Sequence, residues 1–433
     1  MLVRRINMAN RSIRTYRQHY IDNLRIFLTS VVIVHHTAIP YGGTGSWPFK
    51  SALFQHSSSV LLVFNAINQA FFMGLFFWIS GRMSAQTLAR HSPVKFCVGK
   101  LIRLGIPTVV YTLAVHPVAG TLALSSWDLE SVVGFLKQYY KGLSGVRGPV
   151  WYTATLMIFD IVAAGATSVI RSATWSEYSL LRSLDILGYL VMSGWAWMAV
   201  AGISFLVRTH LRVGDTIDLL NLQPAYAAQY MFAYTLGHLS FYKMQCRLSG
   251  PFNRSTSTLR AVEGAQHSTA GGAMSLLKAL GLSLLTLTPN FIPLLLTGPS
   301  RRMEETREQI KGGWNLPASI YAIWNEFSFV TIGPALVAYF ELVHSYPATS
   351  WLFQPRYSYA AFLVHPPASV AIEVLADKIL SMAGMPRPAT GMTVWQTVGP
   401  GIMTATMGIV NTCVSFLVGR WVVEYVPWIG KIV

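Results

Sequence analysis

The chain has 433 residues, of which about half are hydrophobic and only 12% are charged, and its net charge is +16. A soluble protein of this length would form roughly two or three domains with about 25% charged residues, so the composition excludes an ordinary soluble fold. The hydrophobic residues come in blocks of about 20, the length of a helix that crosses a bilayer. We therefore predict an all-α fold, a polytopic membrane helix bundle of about ten transmembrane helices.

The positive charges lie between the hydrophobic blocks, where they would face anionic lipid headgroups. We therefore predict the lipid bilayer as a partner and no nucleic acid, although a basic site for an anionic cosubstrate fits the same charges. The three cysteines, Cys97, Cys246 and Cys413, are too far apart for a disulfide framework or a metal site. We expect no metal and no bound cofactor.

The predicted elements begin with a basic N-terminal segment, residues 1–23, and continue as a transmembrane domain over 24–425. The Lys and Arg residues favour alternate loops, which predicts a cytosolic N-terminus. A stretch rich in Ser, Gly and Arg, residues 243–275, is predicted to be a disordered loop. The predicted spans are 24–41, 60–80, 103–124, 149–170, 184–207, 220–242, 276–297, 317–343, 356–377 and 400–423.

The first span carries a polar face. Arg25 and His36 are eleven residues apart, so they differ by about 20° around a helix and by roughly 16 Å along it. An imidazole can take a proton from a hydroxyl near neutral pH, and an arginine can hold a phosphate. Ionisable groups inside spans are costly, so this pair is a functional candidate. The alternative is a histidine that only bonds a neighbouring helix.

The third and fourth spans begin with residues of two possible uses. Lys100 and Arg103 could bind phosphates, or their side chains could reach out to lipid headgroups. Trp151 and Tyr152 could contact a substrate, or they could belong to an interfacial aromatic belt.

The ninth span contains His365 directly before Pro366 and Pro367. The two prolines break the hydrogen-bond ladder of the helix, which predicts a kink or a local cavity beside the histidine. His365 is therefore either a site residue or a side chain that stabilises the kink.

These residues lie in segments that resemble the acyltransferase 3 family, which includes bacterial O-acyltransferases that modify surface glycans. The family carries an Arg, ten further residues and then a His on its first span, and Arg25 and His36 reproduce this spacing. Residues 171–316 align little with the family. The similar segments, which follow the order of the family, are 20–25, 34–36, 76–81, 103–107, 148–152 and 357–367.

The resemblance implies transfer of an acyl group, often acetyl, from a cytosolic acyl-CoA to an acceptor hydroxyl. Acyl-CoA, with acetyl-CoA first, is thus the expected cosubstrate, and the acceptor could be a glycan, a lipid or a small metabolite. The resemblance assigns His36 to catalysis, as general base or as transient acyl carrier, and Arg25 and Arg103 to the donor. The full set expected to bind donor or substrate is Arg25, Arg103, Lys100, Trp151, Tyr152 and His365.

Two other functions fit the same residues. A transporter would also use about ten spans, polar faces and broken helices. A different kind of membrane acyltransferase, with a single catalytic histidine in an apolar span, would use His365 in place of His36.

Overall fold

The computed structural model describes residues 17–54, 56–172, 188–248, 265–296, 308–385 and 394–426. These residues are mainly helical, and their only β-type pairing is an isolated bridge between Ile217 and Leu222. The principal helices are α1 (His19–Ala38), α2 (Ser59–Leu88), α3 (Pro93–Leu122), α4 (Leu129–Lys141), α5 (Trp151–Ser172), α6 (Ala196–His210), α7 (Ala227–Leu248), α8 (Ala265–Leu296), α9 (Leu316–Val343), α10 (Pro355–Met382) and α11 (Val394–Tyr425).

Within the described ranges, six helices are long and apolar enough to cross a membrane. They are α2, α3, α9, α10, α11 and the stretch Gly148–Ile170, which joins a short turn to α5. This finding confirms the prediction of an all-α polytopic bundle. Each of the ten predicted spans overlaps a helix, although the first residues of the span at 184–207 lie outside the described ranges.

The helices on either side of the predicted loop at 243–275 extend into that range. Helix α7 continues to Leu248 and α8 begins at Ala265, while residues 249–264 lie outside the part that the structure describes. Residues 1–16 of the predicted N-terminal segment also lie outside the described part. The last residues of that segment belong to α1, which begins at His19.

Helix α4 is the element that the sequence did not predict. With 13 residues it is too short to span a bilayer, so a search for long apolar blocks passes over it. Asp128 caps its N-terminus by accepting a hydrogen bond of 2.8 Å from the Ser131 amide. Hydrogen bonds from the Ser126 hydroxyl and from Ser131 lower the pKa of Asp128 to about 2. The helix packs against the last turns of α3.

Helix α1 lies at the centre of the bundle and packs against α2, α9, α10 and α11. Close backbone contact holds α2 against α7. A Cβ atom on Gly81 would lie 2.1 Å from the Tyr234 carbonyl, and one on Gly237 would lie 1.9 Å from the Trp78 carbonyl. Small residues allow this approach between membrane helices, where packing contributes most of the association energy.

Candidate active site

The adjacent histidines of α1 have different surroundings. His35 is 6% exposed, its ring stacks on Phe72, and its Nε2 lies 3.3 Å from the amide nitrogen of Asn65. His36 is less buried, and it lines a cavity of about 1060 Å³ that His35 also borders. A cavity of this size can enclose an organic substrate. His36 is therefore the histidine whose ring a substrate can reach with the least rearrangement.

His365 lies directly beside His36. The two rings are parallel within 3°, and His36 Nδ1 is 2.8 Å from His365 Nε2. On the other side of its ring, His365 Nδ1 is 2.6 Å from the carbonyl oxygen of Phe362. That carbonyl is free because the residue four positions later is Pro366, which has no N–H to donate to it.

These contacts assign the tautomers of both neutral rings. A carbonyl oxygen only accepts, so His365 Nδ1 must carry a hydrogen, and His365 Nε2 then carries a lone pair. This lone pair accepts the hydrogen of His36 Nδ1. His36 Nε2 is consequently left with a lone pair, which is what a general base or a nucleophile requires.

A tryptophan from the loop after α1 covers the ring of His36. The Trp47 ring stacks on it, with centroids 5.0 Å apart and planes 19° apart. Trp47 Nε1 donates to the Glu373 carboxylate at 2.8 Å, and the other oxygen of Glu373 accepts from Asn411 at 3.1 Å. Asn411 is also bonded to Thr37, the residue after His36. No sequence pattern identifies Trp47, Glu373 and Asn411 as site residues, because they lie in three separate segments of the chain that no regular motif links.

The wall of the cavity combines aromatic rings with polar groups. Trp151, Tyr226 and Tyr230 line it, and the Trp151 and Tyr230 rings stack at 5.5 Å. Its polar lining includes the amides Asn65 and Gln69. Cavities that combine aromatic walls with polar groups are typical of sites for small organic molecules.

Arg25 lies at the opposite end of α1, outside the lining of this cavity. Its Nη2 donates to the Pro355 carbonyl at 2.9 Å and lies 3.5 Å from Asp22. Arg103, on a π-helical turn of α3, lies within electrostatic reach of both Arg25 and Tyr359. Arg25 and Arg103 therefore share one end of the bundle, which we call the Arg25 end, and the cavity lies at the His36 end.

Three aromatic rings connect the two ends. Tyr152 packs against Phe76 and Phe362, with centroid distances of 5.8 and 6.0 Å, and its hydroxyl lies 2.6 Å from Ser80 Oγ. Phe362 lines the cavity and touches His365, whereas Tyr152 lies within electrostatic reach of Arg25. The adjacent residues Trp151 and Tyr152 thus contact different parts of the site.

The family model described as an acyltransferase domain, acyltransferase 3, matches residues 18–420, which is nearly the whole chain. The chain belongs to the acyltransferase 3 family. This finding confirms the family predicted from the sequence, and it supports an acyltransferase rather than a transporter. No curated protein and no solved structure matches the chain.

In this acyltransferase Lys100 is engaged in the packing of helices. Its Nζ lies 2.8 Å from Asp160 and donates to Ser84 Oγ at 2.9 Å. Asp160 also accepts hydrogen bonds from Ser84 at 2.6 Å and from Tyr234 at 2.7 Å. The network formed by Lys100, Asp160, Ser84 and Tyr234 joins α2, α3, α5 and α7. Lys100 is not among the residues that line the cavity, and it is not a hydrogen-bond partner of Arg25.

Proposed function

We propose that this membrane O-acyltransferase moves an acyl group from acyl-CoA to the hydroxyl of an acceptor, with His36 as the general base. Acetyl is the first acyl group to test. The observation that carries the proposal is the 2.8 Å contact between His36 Nδ1 and His365 Nε2 beside a cavity, from which a lone pair on His36 Nε2 follows. Family membership supports acyl transfer, and the tautomers supply the base that acyl transfer to a hydroxyl requires.

Acyl transfer to the acceptor requires one proton to leave its hydroxyl and one to reach the CoA thiolate. The acceptor hydroxyl gives its proton to His36 Nε2 while its oxygen attacks the thioester carbonyl. A carbon–oxygen bond forms, the carbon–sulfur bond breaks, and the thiolate takes the proton back from His36. While His36 is protonated, His365 Nε2 accepts from its Nδ1–H, and the face of Trp47 stabilises the positive ring.

We assign the donor to the Arg25 end and place this end at the cytosol. Arg25 and Arg103, with Arg17 nearby, are cations at this end, and CoA carries several phosphate charges that arginine binds well. Lys100 is left out of this donor set because its Nζ lies 2.8 Å from the buried Asp160 carboxylate, whereas Asp22, 3.5 Å from Arg25, is shared with Arg17. Tyr152, which packs against Phe362 and lies within electrostatic reach of Arg25, then lies along the route between donor and base.

The distance between the two ends of α1 is also compatible with a relay, in which His36 carries the acyl group transiently. Arg25 and His36 are roughly 16 Å apart along α1, so an acyl group that first moved to His36 could reach an acceptor on the far side. A relay predicts that purified protein, given acetyl-CoA and no acceptor, gains the mass of one acetyl group at His36. A general base predicts no such adduct.

The test of the function is transfer of label from acyl-CoA. Membranes that contain the protein are incubated with radiolabelled acetyl-CoA and with longer acyl-CoA donors, and products are separated before and after mild alkali. The proposal predicts a labelled product that alkali hydrolyses, as expected of an oxygen ester, and that control membranes do not form. Absence of label with every donor would contradict the proposal and favour transport.

A further inference from the structure

A second cluster of polar groups lines the cavity. It consists of Tyr111 and His116 on α3, Tyr139 on α4, and Arg147 just before α5. Tyr111 is 2% exposed, and among the described residues neither its hydroxyl nor His116 Nδ1 has a hydrogen-bond partner. Buried polar groups normally have partners, so two unpartnered groups at a cavity wall indicate a place where a ligand binds.

The backbone is shaped to bring these groups together. A π-helical turn over Tyr111–Val115 precedes His116, and such turns are frequent at functional sites. Gly148 has φ +65°, and a Cβ atom there would lie 2.7 Å from His116 Cδ2 and 3.0 Å from the Tyr111 ring. Only glycine fits this close approach. The Gly148 turn therefore places Arg147 within electrostatic reach of His116.

Arg147 and His116 are held in place by their neighbours. Arg147 Nη2 donates to the carbonyl of Gly142, the residue that ends α4, at 2.8 Å. The His116 ring stacks on Tyr139, with centroids 5.6 Å apart and planes 24° apart. Burial raises the pKa of Tyr139 to about 12, so this hydroxyl stays neutral and is not an anion that could balance Arg147.

The two charged side chains that line the cavity, Arg147 and Lys311, are both basic. No Asp or Glu is among the residues that line it, and no ion pair in the described ranges includes Arg147. The other lysine or arginine on the wall, Lys311, pairs with Glu308. An arginine that is partly withdrawn from water without a counter-ion is unfavourable, and a bound anion would remove this cost.

We propose that Tyr111, His116 and Arg147 form a subsite for an anionic group, a carboxylate or a phosphate, on the acceptor. The inference rests on the proposed function, because the same molecule presents its hydroxyl to His36 in the same cavity. The acceptor class is then a hydroxylated compound that carries a negative charge. A guanidinium N–H, an imidazole and a phenol together supply the donors that a carboxylate or phosphate accepts.

The test measures binding without acyl transfer. Full-length protein in detergent is titrated with glucuronate, glucose 6-phosphate and glucose, and the melting temperature is followed. We expect the two acidic sugars to stabilise the protein and neutral glucose to have little effect. Arg147→Gln should weaken binding of the acidic sugars by about tenfold or more, the usual consequence of losing a charge-assisted hydrogen bond. Arg147→Lys, which keeps the charge, should keep part of the affinity.

Two further variants make the result specific. Lys311→Gln removes the same charge from the same cavity, but its cation is already paired, so binding should change little. His36→Ala should still bind acidic sugars, so this test can fail while His36-dependent transfer stands, and the reverse also holds. Equal stabilisation by glucose and the acidic sugars would overturn the subsite. Dependence of CoA binding, rather than acidic-sugar binding, on Arg147 would overturn its assignment to the acceptor.

Discussion

The sharpest prediction concerns His365, which holds His36 without acting as the base. His365→Ala removes the acceptor of the His36 Nδ1–H and leaves that buried group unpaired, at a cost of about 1–3 kcal/mol. If this whole cost is added to the activation free energy, kcat falls roughly 5- to 160-fold, since about 1.4 kcal/mol corresponds to a tenfold change in rate. His365→Gln should recover most of this loss, because its amide oxygen can accept the same hydrogen.

The assay is steady-state formation of acylated product by purified protein, with melting temperatures measured for each variant. We expect kcat to follow the order wild type, His365→Gln, His365→Ala, while KM for the donor changes little. A glutamine cannot act as a base near neutral pH. If His365→Gln were as inactive as His36→Ala, with both variants folded, His365 would itself be the catalytic base. Unchanged activity of His365→Ala would refute the proposed coupling of the two rings.

The ring over His36, the contact between α2 and α7, and the cap of α4 can each be perturbed by single substitutions. Trp47→Phe keeps an aromatic ring over His36 but loses the N–H that donates to Glu373, so kcat should fall about 3- to 10-fold. Glu373→Gln should lower kcat less, because its amide oxygen can still accept this hydrogen bond. An equal fall in kcat in both variants would contradict this assignment. Gly81→Ala would push a methyl group into the α7 backbone and should lower stability by about 1–3 kcal/mol or prevent folding, while Gly202→Ala, with nothing within 4 Å, should leave the melting temperature unchanged. Hydrogen bonds lower the pKa of Asp128 in the folded protein from its ordinary value of 3.8 to about 2. Its cap therefore stabilises α4 fully above pH 3.8, and this stabilisation is lost as the pH falls through about 2. The protection of α4 amides from hydrogen exchange, taken relative to the intrinsic exchange rate at each pH, should fall over this window in the wild type and should not change with pH in Asp128→Ala.

Most of the fold was predictable because the bilayer imposes a length on its helices. The spans predicted from blocks of about 20 apolar residues all overlap helices, including the one that carries Gln229 and His238. Helix α4 could not be found in this way, because with 13 residues it is too short to span a bilayer. The turn at Gly148 was also unpredictable, since only the packed structure shows why a positive φ is needed there.

The candidate site was predictable where its residues share one helix. The eleven-residue spacing placed Arg25 and His36 on one face of α1, and the prolines after His365 predicted a broken ladder beside it. The contact between His36 and His365 joins residues 329 positions apart, so no local pattern encodes it. The same holds for Trp47 and Glu373, which are 326 positions apart. The role of Lys100 was also open, because its partner Asp160 lies on a different helix.

The most direct test of the central claim is acyl transfer by His36→Ala. Purified wild type, His36→Ala and His210→Ala are compared for formation of labelled ester from labelled acyl-CoA; His210 is an exposed histidine at the end of α6. The mechanism predicts that His36→Ala folds, keeps its melting temperature within a few degrees and forms no product above background, while His210→Ala matches the wild type. Substantial ester formation by folded His36→Ala would contradict the mechanism.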